Sequence, residues 1–229
     1  MTAQTRAGAD GRVIEGLEMK RLFVAIAGLI SSTSLAGALT LVAVVEDVQG
    51  NVTGAELMDY VVPGQVIKLG PGGMIVLGYM KSCWHETISG AGAVIVGTEQ
   101  SGVHLADVKA EKVPCDPKQS DKVGGEVGEH AASVVRSANN PGLLVVHGVS
   151  PIITTPAPGK LLIERQDQTG ERYELDTRGK FLDLAKVNIA LKPGGLYSAR
   201  LETRQIVFEV DREAAAGASP IVGRLVRLQ

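Results

Sequence analysis

The sequence predicts an all-β protein made of two small β domains that follow an N-terminal signal segment. Two observations support this fold class. Short runs rich in valine and isoleucine recur between glycine- and proline-containing turns over residues 41–115 and again over residues 143–229, and such runs are typical of strands. Glycine accounts for 28 of the 229 residues and aromatic residues for only 3%, so aliphatic side chains must form most of each core.

The first element along the chain is an export signal. A short basic pair, residues 20–21, precedes the apolar residues 22–30, and small residues follow at Ala36 and Ala38. A positive region, an apolar region and small residues at the −3 and −1 positions form the pattern that signal peptidase cleaves. The sequence therefore predicts cleavage between Ala38 and Leu39, and a periplasmic or extracellular location in a bacterium.

An inner-membrane anchor is the alternative interpretation of this segment. The uncharged run extends over residues 22–45, which is long enough to span a bilayer core of about 30 Å. Against an anchor, the serine- and threonine-rich residues 31–34 interrupt the apolar run, and residues 39–50 have the composition of a first strand. Residues 1–18 are polar and aperiodic, so translation starting at Met19 is a further alternative.

The first domain is predicted to contain six or seven strands. They correspond to the runs LVAVVEDV, YVV, QVIKL, MIVLGYM, ETI, AVIVGTE and VHLADVKAEKV. Residues 65–69 and 74–77 are separated by Gly-Pro-Gly-Gly. Because glycine supplies the positive φ that tight turns need, this stretch predicts a β-hairpin with a four-residue loop.

Two stretches of this domain resemble the FecR-like domain: Gly-Asn-Val at residues 50–52, and VPGQVIKLGPGGMIVL at residues 62–77. The resemblance covers roughly residues 42–112 and implies a periplasmic all-β module that acts through protein contacts or envelope association. Two departures are notable. Residues 79–83 replace the Asp-Gly-Ser turn of the family, and residues 1–18 are too short for the cytoplasmic region with which sensor members contact a sigma factor. A sigma-regulator role is therefore not expected.

Cys83 and Cys115 are the two cysteines of the chain. Both follow the export signal, and an even number of cysteines in an oxidising compartment favours a disulfide. The alternatives are two free thiols, or a thiol nucleophile in which Cys83 acts with His85 or His104. On a strand, Cys83 and His85 would have Cβ atoms nearly 7 Å apart, which is too far for a direct hydrogen bond.

Neither a metal nor another cofactor is expected, because the cysteines and the four histidines lack the paired spacing of zinc sites.

A polar segment separates the two domains. Residues 116–141 are rich in glycine, serine and asparagine and have no sustained period, which predicts a spacer, although residues 130–136 have the composition of two helical turns. The predicted organisation is an N-terminal extension with signal peptide, a FecR-like β domain, a linker and a C-terminal β-sandwich, at residues 1–38, 39–117, 118–141 and 142–229.

The second domain is predicted to contain seven or eight short strands, which suggests a β-sandwich. Within it, Leu191, Pro193, Gly194 and Tyr197 resemble the Leu-x-Pro-Gly-x-x-Tyr corner of fibronectin type III and immunoglobulin-like domains. That resemblance implies a tyrosine hydroxyl bonded back to the backbone. Residues 214–217 interrupt the strand pattern and predict either one helical turn or a solvated loop.

Charge and motifs narrow the function. Lys and Arg total 23 against 25 Asp and Glu, and no basic cluster is present, so nucleic acid is not an expected partner. Gly-x-Ser-x-Gly, His-Glu-x-x-His and a phosphate-binding loop are absent from the sequence. The favoured hypothesis is therefore a non-enzymatic adaptor or ligand-sensing protein of the cell envelope, which contacts another envelope protein or an envelope polymer.

Two other functions stay open. The first is a thiol-dependent periplasmic enzyme that uses Cys83 with His85 or His104, which requires a reduced Cys83. The second is a glycan- or peptidoglycan-binding module, for which Trp84, Tyr60 and Tyr79 are the available aromatic residues. Trp84 is expected to fill the core rather than bind a ligand.

Overall fold

The computed structural model describes residues 40–120, 143–217 and 220–228. Seventeen β-strands and three short 3-10 helices make up the regular structure of these residues, which contain no α-helix. The predicted all-β class is therefore confirmed. The strands form four sheets, two in residues 43–112, termed the first β region, and two in residues 144–227, termed the second β region.

The first β region contains nine strands in two antiparallel sheets. These strands are β1 (Ala43–Gln49), β2 (Val52–Thr53), β3 (Tyr60–Val61), β4 (Val66–Leu69), β5 (Met74–Tyr79), β6 (Trp84–Ser89), β7 (Gly92–Ile95), β8 (Gly102–His104) and β9 (Asp107–Lys112). The five-stranded sheet has the order β3-β1-β5-β6-β9, and the four-stranded sheet has the order β2-β4-β7-β8. Both sheets bury alternate aliphatic side chains in one core, including Ile67 and Val94 from the smaller sheet and Ile75, Leu77 and Ile88 from the larger one.

The hairpin predicted over residues 65–77 is wrong. Strand β4 pairs with β2 and β7, whereas β5 pairs with β1 and β6, so the two strands belong to different sheets. The Gly70 amide donates to the Asn51 carbonyl and the Gly73 amide donates to the Gly70 carbonyl, which shapes the crossing between the sheets. A Cβ on Gly73 would lie 2.6 Å from the Asn51 carbonyl oxygen, so this crossing requires glycine there.

The second β region contains eight strands. These are β10 (Leu144–Gly148), β11 (Ile152–Thr154), β12 (Gly159–Arg165), β13 (Arg172–Thr177), β14 (Phe181–Asp183), β15 (Leu196–Leu201), β16 (Arg204–Ala215) and β17 (Leu225–Arg227). One sheet has the order β10-β16-β15-β12-β13 and the other has the order β14-β11-β17. The pairs β10–β16 and β11–β17 are parallel, and the other pairs in these two sheets are antiparallel.

Residues 214–217 do not form the helical turn that is one of the two predictions for this segment, and the exposed Ala216 and Gly217 follow the end of β16 as a loop. Strand β16 continues through Ala214 and Ala215, and Ala215 lies opposite Gly148 of β10 in the parallel pairing. The backbone amide of Val149 also donates to the carbonyl of Ala215. Pairing with a distant strand therefore overrides the helical preference of consecutive alanines.

The tyrosine corner of the second region has a defined geometry. The hydroxyl oxygen of Tyr197 accepts a hydrogen bond from the Lys192 amide at 2.9 Å, and the ring stacks on Phe208 with centroids 6.0 Å apart. Burial raises the pKa of Tyr197 well above its ordinary value. Gly194 has φ +72°, a backbone conformation that L-residues with side chains rarely adopt, and thus allows the turn that precedes β15.

The two β regions share a third core cluster, termed the junction core. It consists of Val44, Met58, Met80, Cys115, Ile152, Val222 and Leu225. The first four of these residues precede the second β region in the chain, and the last three lie within or beside its strands. Because this shared core is packed, it holds the two β regions against each other, and side chains from both regions meet at the junction.

Some predictions concern residues outside those described. The signal segment and its cleavage site at Ala36, Ala38 and Leu39 lie in residues 1–39, and most of the predicted linker lies in residues 121–142. Within residues 40–120, 143–217 and 220–228, no helix has the length and hydropathy needed to cross a membrane.

Candidate functional site

The two cysteines form a disulfide. Cys83 immediately precedes β6 and Cys115 follows β9, and their Cα atoms are 5.6 Å apart. These two strands pair along their whole length, with Trp84 opposite Lys112, so the disulfide closes the end of an existing ladder. With its sulfur in this bond, Cys83 carries no thiolate, and the thiol-enzyme hypothesis therefore applies only to a reduced form of the protein.

The two histidines considered as partners of Cys83 lie in different sheets. His85 is in β6 of the five-stranded sheet, whereas His104 is exposed in β8 of the four-stranded sheet. Trp84 is partly buried against the core of the first region, and the Lys112 ammonium lies 4.6 Å from its ring centroid. Trp84 therefore contributes to packing at the disulfide end of the sheet.

His85 contacts two carboxylates. Its Nε2 atom lies 3.3 Å from Glu46 Oε2 and its Nδ1 atom lies 3.7 Å from Glu111 Oε1. The hydrogen bond to Glu46 is the main cause of a raised pKa of His85; burial opposes this effect, and the charges of Glu46 and Glu111 reinforce it. The imidazolium form is therefore stabilised in the folded protein.

Glu46 connects the two β regions through a β-bulge. In the β1–β5 ladder, Val45 pairs with Leu77 and Asp47 pairs with Val76, so Glu46 is the extra residue of the bulge. Its carboxylate, only 8% exposed, accepts hydrogen bonds from the amides of Ile221 at 2.8 Å and Val222 at 2.7 Å. A bulge redirects a side chain, and here it allows one carboxylate to fix the start of the 3-10 helix Ile221–Gly223.

The raised pKa of His85 predicts a pH-dependent stability. Because the folded-state pKa lies above the unfolded value of about 6.5, the contribution of His85 is complete below that value and is lost as pH rises through the folded-state pKa. We expect the free energy of unfolding to decline over this window in the wild type, and this decline to be absent in His85→Gln. Urea unfolding at closely spaced pH values measures it, and parallel curves for the two proteins would contradict the prediction.

A cavity of about 390 Å³ lies where the two regions meet, and it is termed the junction cavity. Its polar lining comes from both regions: Asp59 and Tyr60 from the first, and Thr154, Thr155, Lys180 and Arg227 from the second. Met58, Pro156 and Leu228 supply apolar surface. A mixed lining in a cavity of this size is typical of sites for small molecules.

Arg227 and Tyr60 stack at this cavity. The guanidinium carbon of Arg227 lies 4.4 Å from the ring centroid of Tyr60, and the Tyr60 hydroxyl donates to Thr154 Oγ1 at 3.5 Å. Burial is the main cause of the lowered pKa of Arg227 and of the raised pKa of Tyr60. Both groups are therefore partly shielded from bulk water, which strengthens their electrostatic interactions with a charged group that enters the cavity.

A larger cavity, of about 580 Å³, lies within the loop between β12 and β13. Its charged groups satisfy one another: Arg165 forms ion pairs with Asp167 at 2.9 Å and with Glu171 at 3.3 Å. Asp167 also accepts a hydrogen bond from the Leu196 amide. These contacts hold the loop on the sheet and give Arg165 two carboxylate partners, so its charge is already neutralised and the junction cavity is the stronger candidate site.

The sequence does not identify the residues that define this site. Tyr60 stands out in it only as one of the few aromatic residues, and no motif includes Glu46 or Arg227. One usable signal existed for Arg227, because the terminal run IVGRLVRL places two arginines in an otherwise apolar strand, and charged residues in such positions need a buried partner or a ligand.

No family model, curated protein or solved structure matches this chain. The side chains of the described residues also form no cluster of three or more His, Cys, Asp or Glu that is suited to a metal ion.

Proposed function

We propose that the chain is an exported, non-enzymatic binding or ligand-sensing protein of the bacterial cell envelope, and that it holds its ligand in the junction cavity. The observation that carries this proposal is the position of the cavity. Side chains from both β regions line it, and the junction core lies directly beside it, since Met58 belongs to both. A ligand bound there would contact both regions, and its binding could therefore change the conformation of either one.

The compartment is proposed on separate grounds. The signal-like segment and the FecR-like pattern favour export, and the Cys83–Cys115 disulfide suits an oxidising compartment. The sulfur of Cys83 is bonded in the folded protein, so binding is a better-supported role than thiol chemistry.

Native mass spectrometry tests the binding proposal. The purified protein is incubated with a low-molecular-weight extract of the host envelope, and a bound small molecule is expected as a discrete mass adduct. Pro156 is exposed and lines the cavity, so Pro156→Trp fills the cavity with little risk to the fold and is expected to abolish the adduct. Pro158→Trp, at an exposed position outside the cavity lining, is the matched control.

The two possible failures of this experiment are distinct. An adduct that persists in Pro156→Trp would place the ligand elsewhere on the molecule. The absence of any adduct from the wild-type protein, in extracts from several growth conditions, would reject small-molecule binding and leave an adaptor role through surface contacts.

A further inference from the structure

Arg227 is half-buried and differs from Arg165 and Arg224, whose side chains are well buried. Arg165 is paired with Asp167 and Glu171, and Arg224 donates to Asp183 Oδ1 at 3.1 Å and to the Ser150 carbonyl. Among the residues that the structure describes, no carboxylate lies within ion-pair distance of Arg227, and its buried Nη1 atom has no hydrogen-bond partner. The guanidinium has therefore lost part of its hydration without gaining an ion-pair partner.

The position of Arg227 is fixed by the fold and not by a charged partner. Strand β17 pairs in parallel with β11, and this register places Arg227 opposite Thr154. The Tyr60 ring from the first region covers one face of the guanidinium. The cation is therefore preorganised in the wall of the junction cavity, and a bound anion would not have to order a flexible side chain.

We infer that the junction cavity binds the carboxylate of a small organic acid, with Arg227 as the residue that receives it. This inference rests on the proposed binding function and names its ligand class. A guanidinium offers parallel donors that match the two oxygens of a carboxylate. Lys180, which also lines the cavity, adds a second positive charge, and Thr154 and Thr155 belong to the same lining.

The remaining lining favours a monocarboxylate with an apolar body over phosphate. Asp59 also lines the cavity, and its carboxylate accepts a hydrogen bond from the Glu56 amide at 2.8 Å. Because this carboxylate carries a negative charge, it repels a highly charged anion such as phosphate. Met58, Pro156 and Leu228 present apolar surface that suits a short aliphatic or aromatic chain. The ligand is therefore expected to combine one carboxylate with a compact hydrophobic group.

Calorimetry and thermal unfolding with defined probes test this inference. Hexanoate and benzoate are the carboxylate probes, hexanol is the uncharged control, and inorganic phosphate is the alternative oxyanion. We expect the carboxylates to bind and to raise the unfolding temperature of the wild-type protein, hexanol to have little effect, and phosphate to bind at least about tenfold more weakly than hexanoate.

Three variants identify the residue responsible. Arg227→Met keeps the length and the apolar stem and is expected to weaken hexanoate binding by about ten- to a hundredfold. Arg227→Lys keeps the charge without the paired donors and should retain part of the affinity. Arg204→Met, at the exposed first position of β16, is the matched control and should bind like the wild type.

Stability of the free protein separates a ligand role from a structural role. If Arg227 served only to stack on Tyr60, Arg227→Met would lower the unfolding temperature without ligand. Because the unpaired cation is costly to bury, we expect no such loss. The inference is overturned if hexanoate binds Arg227→Met and wild type equally, if no carboxylate binds, or if phosphate matches hexanoate. One outcome would reject the carboxylate as the ligand class and leave the binding function intact. It is an adduct from the extract that Arg227→Met still binds and Pro156→Trp does not.

Discussion

Replacing Cys83 and Cys115 together by alanine is expected to lower the free energy of unfolding by about 3–4 kcal/mol. The disulfide joins residues 32 positions apart, and a cross-link closing a loop of that length stabilises the folded state by this amount in the chain-entropy model. Cys115 also belongs to the junction core, where alanine leaves only a small void. Most of the loss should therefore come from the greater freedom of the unfolded chain.

Urea unfolding of the wild type, the double variant and the reduced wild type measures this effect. The double variant and the reduced protein should have similar midpoints, because both lack the same cross-link. A control variant, Lys81→Ala, changes an exposed side chain of the same turn and leaves both cysteines in place. Thiol alkylation of protein recovered from the host envelope, before and after reduction, should label cysteine only after reduction. A double variant as stable as the wild type, or thiols that alkylate without reductant, would contradict the prediction.

The local features of this fold could be predicted from the sequence because they depend on neighbouring residues. Valine-rich runs between glycines identify strands such as β1 and β5, and the two cysteines allow a single intramolecular pairing. The sequence does not predict which strands pair with each other. Residues 66–69 and 74–79 have the pattern of a hairpin, yet long-range pairing places β4 and β5 in separate sheets. Alternation specifies which face is buried and does not specify which edge pairs.

The candidate site could not be predicted from the sequence either, because it also depends on contacts between residues far apart in the chain. Tyr60 and Arg227 meet only because β3 and β17 are brought together across the junction, and Glu46 and Ile221 are 175 residues apart in the chain. The bulge that directs Glu46 has no distinctive sequence. A single feature was available locally, the placement of Arg224 and Arg227 in an apolar terminal run, and one of these two arginines is paired with Asp183 while the other lines the cavity.

Glu46→Ala is expected to destabilise the protein by about 3 kcal/mol or more. The Glu46 carboxylate accepts the amides of both Ile221 and Val222 and contacts His85. Alanine would leave the half-buried Ile221 amide and the buried Val222 amide without acceptors, and a buried amide without an acceptor costs about 1–3 kcal/mol. It would also leave His85 with only the exposed Glu111 as a charge partner. Glu111→Ala is the matched control, since its side chain is 73% exposed and its loss should change stability by no more than about 0.5 kcal/mol.

Hydrogen exchange locates the damage in these variants. In Glu46→Ala, the amides of Ile221 and Val222 should exchange faster than in the wild type, whereas amides in the β12–β15 ladder should follow only the global loss of stability. Because the same C-terminal segment continues into β17 and Arg227, loosening its start should also weaken hexanoate binding at the junction cavity. Glu46→Gln, which keeps the shape and one acceptor, should be intermediate in both measurements. If Glu46→Ala costs no more than Glu111→Ala, or leaves both amides equally protected, Glu46 does not hold the two β regions together.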